Sequence, residues 1–147
     1  MLAATLASVA LLPGLLTPTV AEVKQKTTIP VLLPSTFQHK GRLFANGIGD
    51  PSMYRIQLTS TKDCQANYCS VAWFTAEAGI QLRGGKAITL AKGRKGRYWP
   101  MSCGASCAPA RISWREQETG IVYGIESGKS RSRLVTLAKS AIKRGPR

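Results

Sequence analysis

Acidic residues are scarce in this chain. Seven Asp and Glu stand against twenty-one Lys and Arg, for a formal net charge of +14 and a pI near 10.3, so a site built on paired carboxylates is a poor expectation. Asp50, Asp63, Glu77, Glu116, Glu118 and Glu126 are scattered, and Glu116 and Glu118 straddle a turn. Histidine is scarcer still: His39 is alone, in a polar stretch with no evident partner to position it for proton transfer. A phosphate-cradling loop is missing, because Gly84-Gly85-Lys86 lacks both the first glycine and the Lys-Ser/Thr ending of a P-loop. Gly104 to Ala108 lacks the final glycine of a nucleophile elbow. Ser140-Ala141-Ile142-Lys143 has the Ser-x-x-Lys spacing without its companion motifs. No apolar run reaches the roughly 20 residues of a membrane helix, since Pro13-Gly14 interrupts Leu2 to Leu16. Fixed-period repeats and low-complexity tracts are absent. These gaps point to a non-enzymatic protein with no cofactor and no metal.

What is present suits one domain. A chain of 147 residues, 44% hydrophobic and 19% charged, lies in the globular range and is long enough for a single modest core. Leu2 to Leu16 resembles the apolar region of a secretory signal, and Thr19-Val20-Ala21 offers small residues where a signal peptidase needs them. Residues 1–21 are therefore expected to be a secretory signal segment and residues 22–147 a single α+β domain, exported to the periplasm or beyond. No Lys or Arg precedes Lys24, so the usual positive start of a signal is missing. The competing reading is an N-terminal apolar helix packed into the core.

The cysteines form two close pairs, Cys64-x4-Cys69 and Cys103-x3-Cys107. In an oxidising compartment, clustered cysteines in even number read as disulfides, and local pairing, Cys64 with Cys69 and Cys103 with Cys107, is expected. Loops this short lose little unfolded-state entropy on closure, so each bridge would chiefly fix a turn. A four-thiolate zinc site is the alternative. A redox-active dithiol is disfavoured, because three residues separate Cys103 from Cys107 where such motifs have two.

Tyr54, Ile56 and Leu58 alternate with Met53, Arg55 and Gln57, which predicts a half-buried strand over Ser52 to Thr59. It pairs with a more buried strand, Ser70 to Thr75, through a turn carrying the first cysteine pair. Thr28 to Leu33 is expected as an edge strand, because Pro30 cannot donate to a ladder. Further strands are expected at Ile80 to Arg83 and Ala87 to Leu90, joined by a Gly84-Gly85 hairpin turn, and at Gly96 to Trp99. Pro100 to Pro109 reads as loop. Arg111 to Arg115 and Ile121 to Ile125 form the last hairpin. Leu134, Leu137, Ala138, Ala141 and Ile142 then fall on one helical face, after Ser130 or Gly128 and before Gly145-Pro146. The expectation is an α+β fold, a mostly antiparallel sheet of about six or seven short strands with one C-terminal helix packed on it.

The C-terminal third carries a resemblance. Cys103-Gly104-Ala105-Ser106-Cys107-Ala108-Pro109, Ile112-Ser113-Trp114, Gly120-Ile121-Val122-Tyr123-Gly124-Ile125 and Leu134-Val135-x-Leu137-Ala138-x-Ser140-Ala141-Ile142 resemble small exported proteins of cyanobacterial type whose function is uncharacterised. The order Trp, Gly-x-x-Tyr, Leu-x-x-Ala-x-Ser is similar, more distantly, to a domain of unknown function in bacterial exported lipoproteins and anti-sigma factors. The resemblance implies an extracytoplasmic single domain and brings no catalytic residues.

The remaining signal is charge. Arg83, Lys86, Lys92, Arg94, Lys95 and Arg97 occur without an intervening acid and run into Tyr98 and Trp99, and Lys129 to Arg147 is a second acid-free basic stretch. Cations beside aromatics suit a groove that neutralises a polyanion and stacks on its rings. Those eight residues, Arg83 to Trp99, are the expected binding patch, helped by the helix. The expected partner is an anionic polymer: acidic polysaccharide, nucleic acid or an anionic lipid surface. The alternative is an envelope protein recognised by a sheet edge or the helix, with the charge incidental.

Overall fold

Strand alternation organises the molecule, which is described here from a computed structural model covering residues 9–64 and 67–147. In chain order the elements are β1 (Val9–Leu11), α1 (Leu12–Lys26), β2 (Thr36–Gln38), β3 (Phe44–Asp50), β4 (Met53–Thr59), β5 (Ser70–Glu77), β6 (Lys86–Thr89), β7 (Lys95–Trp99), β8 (Ser102–Cys103), β9 (Cys107–Ala108), β10 (Ala110–Arg115), β11 (Val122–Ser127) and α2 (Arg131–Arg144). Seven strands form one antiparallel sheet in the order β3-β4-β5-β11-β10-β7-β6. Because successive side chains point to opposite faces, Tyr54, Ile56 and Leu58 share a side with Ala72, Phe74 and Ala76 of β5, Tyr123 and Ile125 of β11, and Ile112 and Trp114 of β10. All are buried. The α+β expectation, a mostly antiparallel sheet of about six or seven strands with a C-terminal helix packed on it, is what the structure has, with α1 as a second helix that the expectation of one helix did not include.

That buried side is covered by helices. Ser130 caps α2 by accepting from the Arg133 N–H, Gly145 ends it in the left-handed region at φ 77°, and Leu134, Leu137, Ala138, Ala141 and Ile142 are all buried. α1 crosses the same side along β3. Pro18 lies inside it and cannot donate to the turn before it, so packing must hold it: Leu12, Leu16, Val20 and Val23 are each at most 9% exposed. A Cβ at Gly47 would stand 2.8 Å from Val23 Cγ2 and 2.9 Å from Thr19 Cγ2, so glycine in β3 is what lets the helix lie this close. Residues 1–8 of the expected signal segment lie outside the described residues. The rest of it, with the bond after Ala21, lies in β1 and α1. No helix among the described residues is long and apolar enough to cross a membrane.

Several segments depart from the sequence reading. Thr28 to Leu33 is not a strand. Its side chains Ile29, Val31, Leu32 and Leu33 are buried, but its backbone is met by side chains and the C-terminus. Tyr54 Oη accepts from the Leu32 N–H at 3.1 Å, the Tyr123 hydroxyl donates to Pro30 O at 2.8 Å, and the Arg147 N–H donates to Val31 O at 3.0 Å. With prolines at 30 and 34, a regular ladder would have had gaps; isolated hydroxyl bonds do not. Burial pushes both tyrosine hydroxyls far above their ordinary pKa, which keeps them neutral donors. Ile80 to Arg83 is likewise no strand. Gly84 and Gly85 have the positive φ a hairpin needs, yet they serve a different contact: a Cβ on Gly85 would come within 2.8 Å of the Trp99 ring. Pro100 to Pro109 is more regular than a loop, because β8 and β9 pair across the Cys103–Cys107 disulfide. β3 has no counterpart among the expected strands, since Gly47 and Gly49 dilute its strand signal.

Two stability measurements check this account. A chain starting at Glu22 loses Leu12, Leu16 and Val20 from the core; at about 1.5–3 kcal/mol for each buried side chain, urea denaturation should find it several kcal/mol less stable than the longer chain. Equal stability would mean α1 adds nothing to the fold. Tyr54→Phe strands the buried Leu32 N–H and should cost about 1–3 kcal/mol by the same method.

Candidate functional site

The other side of the sheet carries no helix among the described residues. Pairing register brings its side chains into rows. Gln57, Trp73, Glu126, Arg111 and Trp99 stand opposite one another across β4, β5, β11, β10 and β7. The adjacent row is Arg55, Thr75, Gly124, Ser113 and Arg97. Arg55 holds its guanidinium 5.1 Å from the Trp73 ring centroid, and Arg111 holds its own 4.1 Å from that of Trp99, both within the range of cation–π attraction. At about 4.8 Å per strand, Trp73 on β5 and Trp99 on β7 are some 14 Å apart.

Between these two stacks the floor is low. A Cβ on Gly124 would meet Thr75 Oγ1 at 2.8 Å and Ser113 Oγ at 3.1 Å, so glycine here admits two hydroxyls close together and leaves a trough above them. A cavity of about 150 Å³ fills the trough, bordered by Arg55, Thr75, Glu77, Arg111, Ser113 and Glu126. It shares Arg55, Thr75 and Glu126 with a second cavity of about 470 Å³ at the Trp73 end. The far wall of that second cavity is the β8–β9 ribbon, through Met101, Cys107, Ala108 and Pro109. At the opposite corner Lys92, Lys95 and Arg115 line a third cavity of about 550 Å³ together with Glu116 and Glu118.

The eight residues expected from sequence divide. Lys95, Arg97 and Trp99 lie on the open face, because Gly96 between them is buried and Tyr98 packs toward the core. Lys86 pairs with Tyr98 in the edge strand β6, on the helix side, where Arg131 of α2 stands 5.3 Å from the Tyr98 ring. Arg83 is exposed in the segment before β6. Lys92 occupies the turn between β6 and β7 in the left-handed region, φ 53°. Arg94 is engaged structurally: its Nε donates to Glu116 Oε2 at 2.9 Å and its Nη1 to Lys92 O at 3.1 Å. The basic side of α2 is elsewhere, since Lys139, Lys143 and Arg144 line a cavity with Ser35 and Ser140 on the helix-covered side. Ser140 itself accepts from the Ser35 N–H at 3.0 Å.

Arg55, Trp73, Arg111, Arg115 and Glu126 fall outside the expected patch. Each alternates with buried residues, so membership of a solvent-facing row was readable. Part of their meeting was too, since β4–β5 and β10–β11 are the expected hairpins; what was not readable is the pairing of β5 with β11 and of β10 with β7, which joins them in one sheet. The cysteines are joined as expected, Cys64 to Cys69 and Cys103 to Cys107. His39 follows β2; partial burial, and then the charge of Lys129, lower its pKa. Among the described residues no group of His, Cys, Asp and Glu is placed to hold a metal ion. Comparison with family models, curated proteins and solved structures returns no match.

Arg94 separates structural from functional charge. Arg94→Ser breaks a part-exposed ion pair and should lower stability by about 0.5–1 kcal/mol, read from a urea titration. A stability unchanged within error would return Arg94 to the pool of free surface cations.

Proposed function

We propose that this protein is an exported, non-enzymatic module that binds an anionic polymer across the open face of its sheet. The observation that carries the proposal is the pair of Arg–Trp stacks, Arg55 with Trp73 and Arg111 with Trp99, set on the same uncovered surface. A fold does not need them there, because buried area comes from the opposite side. Arg97, Lys95 and Arg115 extend the positive charge along β7 and β10, and the overall charge of +14 draws polyanions toward the molecule at long range. The two disulfides support an oxidising compartment, and with it the export reading. The resemblance of the C-terminal third to exported proteins agrees with this.

A second reading has its own support. Ile48 is 56% exposed on the edge strand β3, beside Arg55 in the register. An apolar residue on a free edge suits a protein partner that adds a strand.

The test compares two charge-removal variants of equal helical and sheet content by circular dichroism. Arg55, Arg97, Arg111 and Arg115 changed together to Ser should elute from a heparin column at much lower salt, with the salt slope of binding reduced by about one for each arginine that no longer neutralises an anion. Lys139, Lys143 and Arg144 changed together to Ser should leave the slope nearly unchanged. Reductions in both in proportion to the four and three charges removed would mean net charge alone drives retention, and an envelope protein captured through high salt would favour the second reading.

A further inference from the structure

We infer that the polymer is an acidic polysaccharide, with its charged group seated over Gly124 and its sugar ring in the cavity beside Trp73; this rests on the anionic-polymer reading. Three features of the face separate a sugar from a nucleic acid. First, the indoles are occupied. Arg111 stands over Trp99, whose ring also lies against Gly84 and Gly85, and Arg55 stands over Trp73. A single-stranded nucleic acid site offers rings open to bases, whereas here the guanidinium planes present fixed donors suited to a carboxylate or sulfate.

Second, the face contains acceptors. Glu126 sits in the same row as Trp73 and Arg111, borders both joined cavities, and takes no part in an ion pair among the described residues. Glu77 borders the trough as well. A polyphosphate backbone brings an anion at every repeat and no donor for these carboxylates. Sugar hydroxyls are donors, so a hydroxyl-rich polymer satisfies Glu126 while its own anions meet Arg55 and Arg111. Third, the floor and wall have the polarity of a sugar ring. Thr75 and Ser113 supply hydroxyls below, and Met101, Ala108 and Pro109 of the disulfide-closed ribbon supply apolar surface at the side. The larger cavity, about 470 Å³, falls within the size range of small-molecule sites.

Three polymers at one fixed ionic strength distinguish the outcomes: polygalacturonate, which has carboxylates and hydroxyls; polyacrylate, which has carboxylates alone; and poly(dT). Binding is followed by indole fluorescence and by calorimetry on the whole protein. The wild type is expected to bind polygalacturonate tightest. Glu126→Gln should weaken polygalacturonate about tenfold, as expected when one hydrogen bond to a charged group is removed, and should tighten polyacrylate and poly(dT). This opposite sign is what a general charge effect does not give. Glu126→Gln tightening all three polymers alike would overturn the inference and leave the anionic-polymer reading standing. Poly(dT) outcompeting polygalacturonate on the wild type would do the same, in favour of nucleic acid. Failure of all three to bind would overturn both. Dextran sulfate, run beside polygalacturonate, distinguishes sulfate from carboxylate as the seated group, and binding of neither sugar polymer would overturn the inference.

Discussion

One-sided cover of the sheet is the constraint on which the rest depends. A pleated strand sends alternate side chains to opposite faces, and in β4, β5, β10 and β11 one set is committed to the core beneath α1 and α2. The other set is mixed: Gln57, Ser113 and Val122 are buried, whereas Arg55, Arg111 and Arg115 are exposed. The identities of the exposed ones are decided by water, by solubility and by whatever the face meets. Tryptophan is an unfavourable residue to leave half in water, since its apolar area is large. Trp73 and Trp99 are kept there under guanidiniums, which shield each ring and stay hydrated themselves. Such an arrangement preserves a charged, pre-positioned surface, with the arginine planes held by stacking instead of by salt bridges.

The sequence was legible where one element's pattern depended only on itself. The alternation from Met53 to Thr59, the helical face from Leu134 to Ile142, the stop at Gly145 and the local cysteine pairs could all be read without knowing any neighbour, while the N-cap was narrowed to Ser130 or Gly128. Misreadings arose where a distant group supplied the missing piece. Thr28 to Leu33 looks like a strand because it is apolar, but Tyr54, Tyr123 and Arg147 satisfy its backbone from elsewhere in the chain. Gly84-Gly85 looks like a hairpin turn because of its dihedral freedom, but the Trp99 indole claims the space above it. β3 was hidden because its glycines serve the helix lying on it. The site was half legible for the same reason. Lys95, Arg97 and Trp99 belong to one strand, whereas Arg55, Trp73, Glu126 and Arg111 come from two expected hairpins whose side-by-side pairing, β5 with β11, the chain does not spell out.

Charge clusters in sequence proved a poor guide to charge clusters in space. Lys92 to Trp99 reads as one basic aromatic tract, yet the pleat divides it: Lys95, Arg97 and Trp99 go one way and Tyr98 the other, while Arg94 is held by Glu116. The second tract, on α2, divides as well: Arg131 reaches the Tyr98 ring on the helix side, whereas Lys139, Lys143 and Arg144 line a cavity with Ser35 and Ser140. A net charge of +14 therefore does not define one binding surface. It supplies a long-range field, and a few of the cations, among them Arg55, Arg111 and Arg94, are fixed in place by a stacking or ion-pair partner.

The N-terminal segment ties location to stability. Its apolar residues satisfy two physical demands with the same pattern, since a signal segment and a core helix both need leucines and valines in short order. Excision after Ala21 would remove Leu12, Leu16 and Val20 from the packed side and take away Thr19, one of the two side chains for which Gly47 makes room. Retention would keep the helix whole along β3, the edge opposite β6. The open face is indifferent to this choice, because α1 lies wholly on the covered side, so the geometry of Arg55, Trp73, Gly124 and Arg111 is governed by β4, β5, β10 and β11 in either form. How firmly the sheet is backed therefore depends on whether α1 is present, and the arrangement of the open face follows from the strands alone.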